Sequence, residues 1–418
     1  MRNIYKKFNK KGALVTICFA LALAGFFVVA LGTLGSPERE SKEENRMLAA
    51  FPKWGAHAYL TGEVYRGIDD FLADHVPARA FLISQADRVK SFMELQRDKK
   101  VVKVRADIGA SLGADTTDAS FETQEVVILP DRMLEVYKKN QRGCDDYVAT
   151  MNRIASKVPE DMKVYSMLVP MRIEFEEPAY RSAADPQKDV IEGIYAAYDD
   201  KIVTVDAYSQ MAEHWGEYEY FRTDHHWTAL GAYYGMRAFS EVAGFTPLEI
   251  TRYSETVLEG FLGYLYGMAP TPSVKAHPDA LCYYMRNRRN NPATLYTYDE
   301  NGNLYGRPGT VFEKYYDGTG MEPPSYAIFL GGDCAMIDIR GDGPRDRVLA
   351  VLKDSYGNAF IPWLTPYYSR IIGIDPRQFK EDLYETLEEK GVTDLLVLDY
   401  AKVTMLPSYI ECLQGLAQ

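Results

Sequence analysis

The sequence predicts an α/β fold, a mainly parallel sheet flanked by helices. Three observations point to it. Short apolar, β-branched runs recur along the chain, each ends at a proline, aspartate or glycine-rich stop, and stretches of helical spacing lie between them. Near-continuous apolar runs mark strands buried on both faces, as in a parallel sheet covered by crossover helices.

The elements follow in chain order. Arg2, Lys6, Lys7, Lys10 and Lys11 precede an uncharged stretch from Gly12 to Gly35. A bilayer-spanning helix needs about 20 predominantly apolar residues, and the Lys/Arg-rich flank stays in the cytoplasm. Residues 1–11 are therefore expected to be a cytoplasmic tail, 12–35 an N-terminal transmembrane helix acting as a signal anchor, and the remainder extracytoplasmic. The alternative is a cleaved signal peptide, whose apolar region is about 7 to 15 residues long. The small residues around Leu31-Gly32-Thr33-Leu34-Gly35 leave cleavage open, in which case the protein is secreted.

Residues 36–100 read as a polar stalk and a helical lead-in. Ser36-Pro37-Glu38-Arg39-Glu40 opens the stalk; Val64, Ile68, Phe71 and Leu72, then Phe81, Ile83, Val89 and Phe92, recur near helical spacing with Pro77 as a break. Residues 101–418 read as the α/β domain. Its strand candidates are 126–129, 164–169, 201–205, 327–330, 348–352, 371–374 and 395–398. Between about 250 and 324 the rhythm changes to Gly, Pro, Asn and Tyr, with turn signals at Arg289-Asn290-Asn291-Pro292 and Asp299-Glu300-Asn301-Gly302, so a β-rich hairpin insertion is expected there.

Composition narrows the function classes. A net charge of −12 argues against a nucleic-acid surface, which needs a basic stripe to neutralise phosphates. The cysteines are scattered and form no CxxC pair, so a thiolate zinc site is not expected. The 31 tyrosines suit sugar faces, on which rings stack and hydroxyls hydrogen-bond, although most serve packing.

Two segments concentrate the acid–base chemistry. Ser355 follows the strand candidate 348–352 and Lys353-Asp354, and precedes Tyr356-Gly357-Asn358. A serine on a sharp turn from a parallel strand into a helix exposes its hydroxyl beside free backbone N–H groups. An Asp-Ser pair at a helix start is also an ordinary cap. Thr223-Asp224-His225-His226-Trp227 runs into a helical stretch, 229–242, that Thr223 or Asp224 could cap. A nucleophilic serine needs a neutral imidazole to take its proton and a carboxylate to orient that imidazole. The same Asp and His residues could instead help hold a divalent metal, or be a capping Asp with satisfied histidines.

The Asp224-His225-His226-Trp227 segment resembles the motif that names the DHHW protein family. Glu44-Asn45-Arg46, Phe51-Pro52, the run from Lys353 to Asn358, and Ile374-Asp375-Pro376-Arg377 extend the resemblance over most of the extracytoplasmic chain. The family is similar in turn to SGNH-hydrolase-like proteins that O-acetylate alginate, whose Asp-x-His-Trp motif precedes the serine. The resemblance implies an SGNH-like domain with Ser355 as nucleophile, His226 as general base and Asp224 as the orienting carboxylate. His225 falls on the variable middle position.

Backbone N–H groups of Ser355 and Gly357, with the Asn358 side chain, are the oxyanion candidates, and Arg222 and Tyr356 the candidate substrate contacts. No cofactor and no metal are expected. The reaction implied is O-acetylation of a cell-surface or exported polysaccharide, with an esterase and a non-catalytic glycan-binding or assembly protein as alternatives. Because no acetyl-CoA is expected outside the cell, a transferase would need a multi-pass membrane partner to deliver the acyl group.

Overall fold

The computed structural model describes residues 40–41, 46–47, 49–52, 55, 58–59, 63–75, 100–107, 121–286, 293–313 and 323–418. The expected anchor at 12–35, the helical positions Phe81 to Phe92 and the turn at 289–292 lie outside the described residues. Among the described residues, no helix is long and apolar enough to cross a membrane.

The chain divides into two units, residues 1–95 and 96–418. In the first, two short strands, Glu40–Ser41 and Arg46–Met47, pair antiparallel, and a helix spans Glu63–Asp74. Val64 and Phe71, two turns apart, are its buried residues, and Phe51 sets its ring edge-on to Phe71 at 5.2 Å. Leu72, expected on the same face, is exposed.

The second unit begins with an antiparallel three-stranded sheet of β1 (Lys100–Asp107), β2 (Phe121–Ile128) and β3 (Met133–Glu135). The run 126–129, expected in the main sheet, belongs to this smaller one. The main sheet combines β4 (Lys163–Val169), β5 (Ile202–Thr204), β8 (Thr294–Tyr298), β9 (Leu304–Gly309), β10 (Met336–Arg340), β11 (Val348–Lys353), β12 (Arg370–Ile374) and β13 (Asp394–Tyr400), in the order β9-β8-β10-β12-β11-β13-β4-β5. The five strands from β12 to β5 are parallel, and β10, β8 and β9 extend one edge antiparallel. Every residue of β13 is buried, so both sheet faces are covered, as the apolar runs required.

The helices that matter for the site are α1 (Gln141–Lys157), α2 (Ala229–Ala243), α3 (Tyr356–Leu364) and α4 (Pro407–Leu416). All nine residues of α3 are buried, including its one amide side chain, Asn358, which is hydrogen-bonded to Asp333. It packs on α2, where Trp363 donates its indole N–H to the Ala229 carbonyl at 3.1 Å. From α1 and α4, the Tyr147 and Tyr409 hydroxyls both donate to Asp399 on β13.

Two expectations change. Residues 327–330 form no strand: Tyr326–Ile328 is a 3-10 turn, and Leu330, Gly331 and Gly332 take φ values of 62°, 80° and 96°, which no strand accommodates. The 250–324 segment is also more integrated than a hairpin insertion. Strands β6 (Ser254–Phe261) and β7 (Asp279–Met285) pair with each other, whereas β8 and β9 complete the edge of the main sheet.

Candidate active site

The segment before α2 closes on itself. Tyr220 and Trp227 face each other as an antiparallel bridge, Thr228 N–H donates to the Glu219 carbonyl at 2.8 Å, and Phe221 N–H to the His226 carbonyl at 3.3 Å. The cap of α2 is Thr228, whose hydroxyl accepts Gly231 N–H at 3.2 Å, and this leaves Thr223 and Asp224 to other partners. Two glycines make the close packing possible. A Cβ on Gly231 would stand 2.3 Å from the Glu219 carbonyl oxygen, and one on Gly235 would stand 2.7 Å from the Trp227 ring.

Asp224 Oδ1 accepts the backbone N–H of His226 at 2.9 Å and lies 2.6 Å from His226 Nδ1. The opposite nitrogen, His226 Nε2, lies 2.6 Å from Ser355 Oγ. With Nδ1 protonated toward Asp224, Nε2 is left as the acceptor for the serine proton. Asp224 Oδ2 takes Tyr264 N–H at 2.7 Å, so both carboxylate oxygens are anchored. All three residues are buried, each 5 % exposed or less. The Tyr326 ring stacks on the His226 imidazole at 3.8 Å, and its hydroxyl donates to the Ser355 carbonyl at 3.2 Å.

Ser355 occupies the turn between β11 and α3, at the carboxyl end of a parallel strand. Asp354 ties that turn down: Oδ1 accepts Tyr356 N–H and Oδ2 accepts Tyr400 N–H, each at 2.8 Å. Trp227 ties it to the histidine segment by donating its indole N–H to the Tyr356 carbonyl at 3.0 Å. Beneath lies a buried ionic network. Asp333 accepts Lys353 Nζ at 3.1 Å, Asn358 Nδ2 at 2.7 Å and Arg377 at 2.8 Å, while Arg377 also forks onto Asp375.

The electrostatics follow from burial and pairing. Burial pushes the Asp224 carboxyl up, but the adjacent His226 and His225 and the hydrogen bonds it accepts outweigh this and hold it well below the usual range. Burial, reinforced by His226 and opposed by Asp224, pushes the His225 imidazole down to about 4, so it is neutral near pH 7. Burial and Asp399 push Asp354 up, against the two N–H groups it accepts.

The remaining expected site residues sit as follows. The Ser355 N–H has no acceptor among the described residues and stands beside its own hydroxyl. Gly357 N–H donates to the Asp354 carbonyl at 3.2 Å, and the Asn358 amide is bound to Asp333, so both of these oxyanion candidates have acceptors already. Arg222, expected at the substrate, reaches Asp279 Oδ1 at 3.3 Å and the Pro278 carbonyl at 2.6 Å. Tyr356 is fully buried, with its hydroxyl donated to the His225 carbonyl and its ring stacked on Tyr400 at 4.8 Å.

His225 Nδ1 lies 3.6 Å from Asp224 Oδ1 and has no hydrogen-bond partner among the described residues. Asp224, His225 and His226 together offer ligand atoms within 4.8 Å of one another, a donor set that suits a divalent metal. The His226–Asp224 and His226–Ser355 contacts engage both His226 nitrogens.

Sequence reasoning missed Tyr264, Tyr326 and Asp279. Tyr264 acts through its backbone, which no side-chain pattern reveals, and Tyr326 and Asp279 carry no motif of their own.

The family described as DHHW protein matches residues 93–373. Among solved structures, a DHHW family protein from Eubacterium siraeum is similar at a TM-score of 0.62 and 28% identity, over 70% of this chain and 95% of that one. Bacillus cereus PatB1 is similar at a TM-score of 0.58 and 17% identity, over 68% of this chain and 99% of that one, a likeness of fold. No curated protein matches. With two thirds of its length matched by the family and its name-giving motif in place at Asp224 to Trp227, the chain belongs to the DHHW protein family.

Proposed function

We propose that the protein is a Ser-His-Asp acyl-ester enzyme that O-acetylates a polysaccharide outside the cytoplasm. The observation that carries the reading is the bridging imidazole: His226 meets Ser355 Oγ and Asp224 Oδ1 at 2.6 Å on opposite nitrogens.

In this mechanism Ser355 Oγ attacks the carbonyl carbon of an acetyl donor while His226 Nε2 takes the hydroxyl proton, and Asp224 stabilises the imidazolium through Nδ1–H. The oxyanion is met by Ser355 N–H. Collapse breaks the bond to the leaving group, which receives the proton from His226, and an acetyl-Ser355 ester remains. A sugar hydroxyl then gives its proton to His226 Nε2, attacks the ester, and leaves acetylated while Ser355 regains its proton. Water in place of the sugar would make the same residues an esterase.

The resemblance to polysaccharide O-acetylating proteins favours the sugar as acceptor. The apolar run at 12–35 supports a single-pass membrane location with the larger unit extracytoplasmic. There the acetyl group would come from a multi-pass membrane partner. Full activity of this chain with acetyl-CoA alone would contradict that supply route.

The test is to incubate the chain with 4-nitrophenyl acetate, locate the acetyl group by peptide mass spectrometry, and chase with a panel of oligosaccharides. Acetyl on Ser355 that moves to a sugar supports transfer. Acetyl released only as acetate supports the esterase, and a wild type never acetylated at Ser355 overturns the catalytic reading.

A further inference from the structure

Asp279 opens β7, far in sequence from the triad, and its carboxylate is fully buried. It takes five donors from one short stretch. Oδ1 accepts Arg222 N–H at 2.8 Å, Arg222 Nε–H at 3.3 Å and the Tyr218 hydroxyl; Oδ2 accepts Thr223 N–H at 2.7 Å and the Thr223 hydroxyl at 2.5 Å. With an acceptor at each oxygen, the carboxylate takes all of these at once.

The Thr223 hydroxyl has one proton and two acceptors in reach, Asp279 at 2.5 Å and the Phe261 carbonyl at 3.5 Å, so the proton goes to Asp279. Its lone pairs then accept Gly263 N–H at 2.9 Å. The next N–H along the chain, Tyr264, is the one that holds Asp224 Oδ2. Contact at this point is close enough to require glycine: a Cβ on Gly263 would stand 2.3 Å from Asp224 Oδ2 and 2.3 Å from Asp224 Cβ.

We infer that Asp279, Thr223 and Gly263 form a positioning relay that fixes the carboxylate of Asp224. His226 engages Oδ1 while the relay holds Oδ2, so the carboxylate cannot rotate away from the imidazole. Asp279 and Gly263 both come from the 250–324 segment, which gives that segment a part in orienting the triad. The inference rests on the catalytic reading above, and its role is preorganisation, fixing a group before charge develops on its neighbour.

The test uses the full chain with Thr223→Val, which keeps the volume and removes the hydroxyl, beside Thr223→Ser, which keeps the hydroxyl. Two readouts are taken: the rate of labelling by a serine-directed fluorophosphonate, and the downfield proton resonance of the His226 Nδ1–Asp224 hydrogen bond. Thr223→Val is expected to lower the rate on the order of 10- to 100-fold, the scale of a displaced orienting group, and to shift or broaden the resonance. Thr223→Ser is expected to restore both.

Gly263→Ala presses on Asp224 from the other side and should reproduce the loss, which covers the case in which Thr223→Val does not fold. An unchanged rate and resonance in the folded Thr223→Val chain overturns the relay. A wild type that does not label overturns the catalytic reading instead, and the resonance alone then decides the relay.

Discussion

His226 Nε2 lies 2.6 Å from Ser355 Oγ, although the two residues are 129 positions apart in the chain. The contact exists because two rigid turns meet. One is closed by the Tyr220–Trp227 bridge, and the other is pinned to β13 by Asp354. The Trp227 indole on the Tyr356 carbonyl joins them.

The role of Asp224 gives the first prediction. Asp224→Asn keeps the shape and removes the charge that selects the Nδ1–H tautomer, so kcat should fall on the order of 10⁴-fold, as for the equivalent change in serine proteases. Circular dichroism and the urea midpoint should show a folded chain. Activity within a few-fold of wild type would argue that Asp224 does not orient His226.

Trp227→Phe removes the only donor that this ring offers to the Tyr356 carbonyl. Losing that hydrogen bond costs about 0.5–1.5 kcal/mol, which urea unfolding would read directly. The labelling rate of Ser355 should fall as well, because the same bond positions the nucleophile turn.

Arg377 holds two buried carboxylates, Asp333 and Asp375. Arg377→Met should destabilise the protein by about 3–5 kcal/mol, the cost of stranding buried charge after its partner is removed. A variant as stable as wild type would mean that these carboxylates find protons or solvent.

His225 sets a pH dependence. Its folded value, about 4, lies below the unfolded value near 6.5, so between these limits the unfolded chain binds the extra proton. Its contribution to stability is therefore present above about pH 6.5 and is lost as pH falls through about 4, by on the order of 3 kcal/mol. Asp224, held low, adds loss in the same direction below its unfolded value. His225→Gln should flatten the acid limb of stability between pH 4 and 6.5, measured as urea midpoints against pH. An unchanged limb would contradict the assignment.

Much of this was legible in the sequence, for physical reasons. The strands at 164–169, 348–352, 371–374 and 395–398 are buried on both faces, so their apolar runs are unbroken and easy to read. The three side chains that meet at His226 were legible as candidates because acyl-transfer chemistry restricts the residue types, and a family motif supplied the choice of His226 over His225. The 327–330 run misled because apolar composition does not distinguish a buried strand from a buried turn, and the positive φ at Leu330 leaves no mark in the sequence. The relay was invisible for a different reason. Its last link is the Tyr264 backbone, and Asp279 reaches the site only through the pairing of β6 with β7.

The most direct test of the central claim is labelling of the folded full chain by a serine-directed fluorophosphonate, with the modified peptide identified by mass spectrometry. The account predicts labelling at Ser355 that is lost in both Ser355→Ala and His226→Ala. A folded wild type that takes no label, or a label that persists in Ser355→Ala, would contradict it.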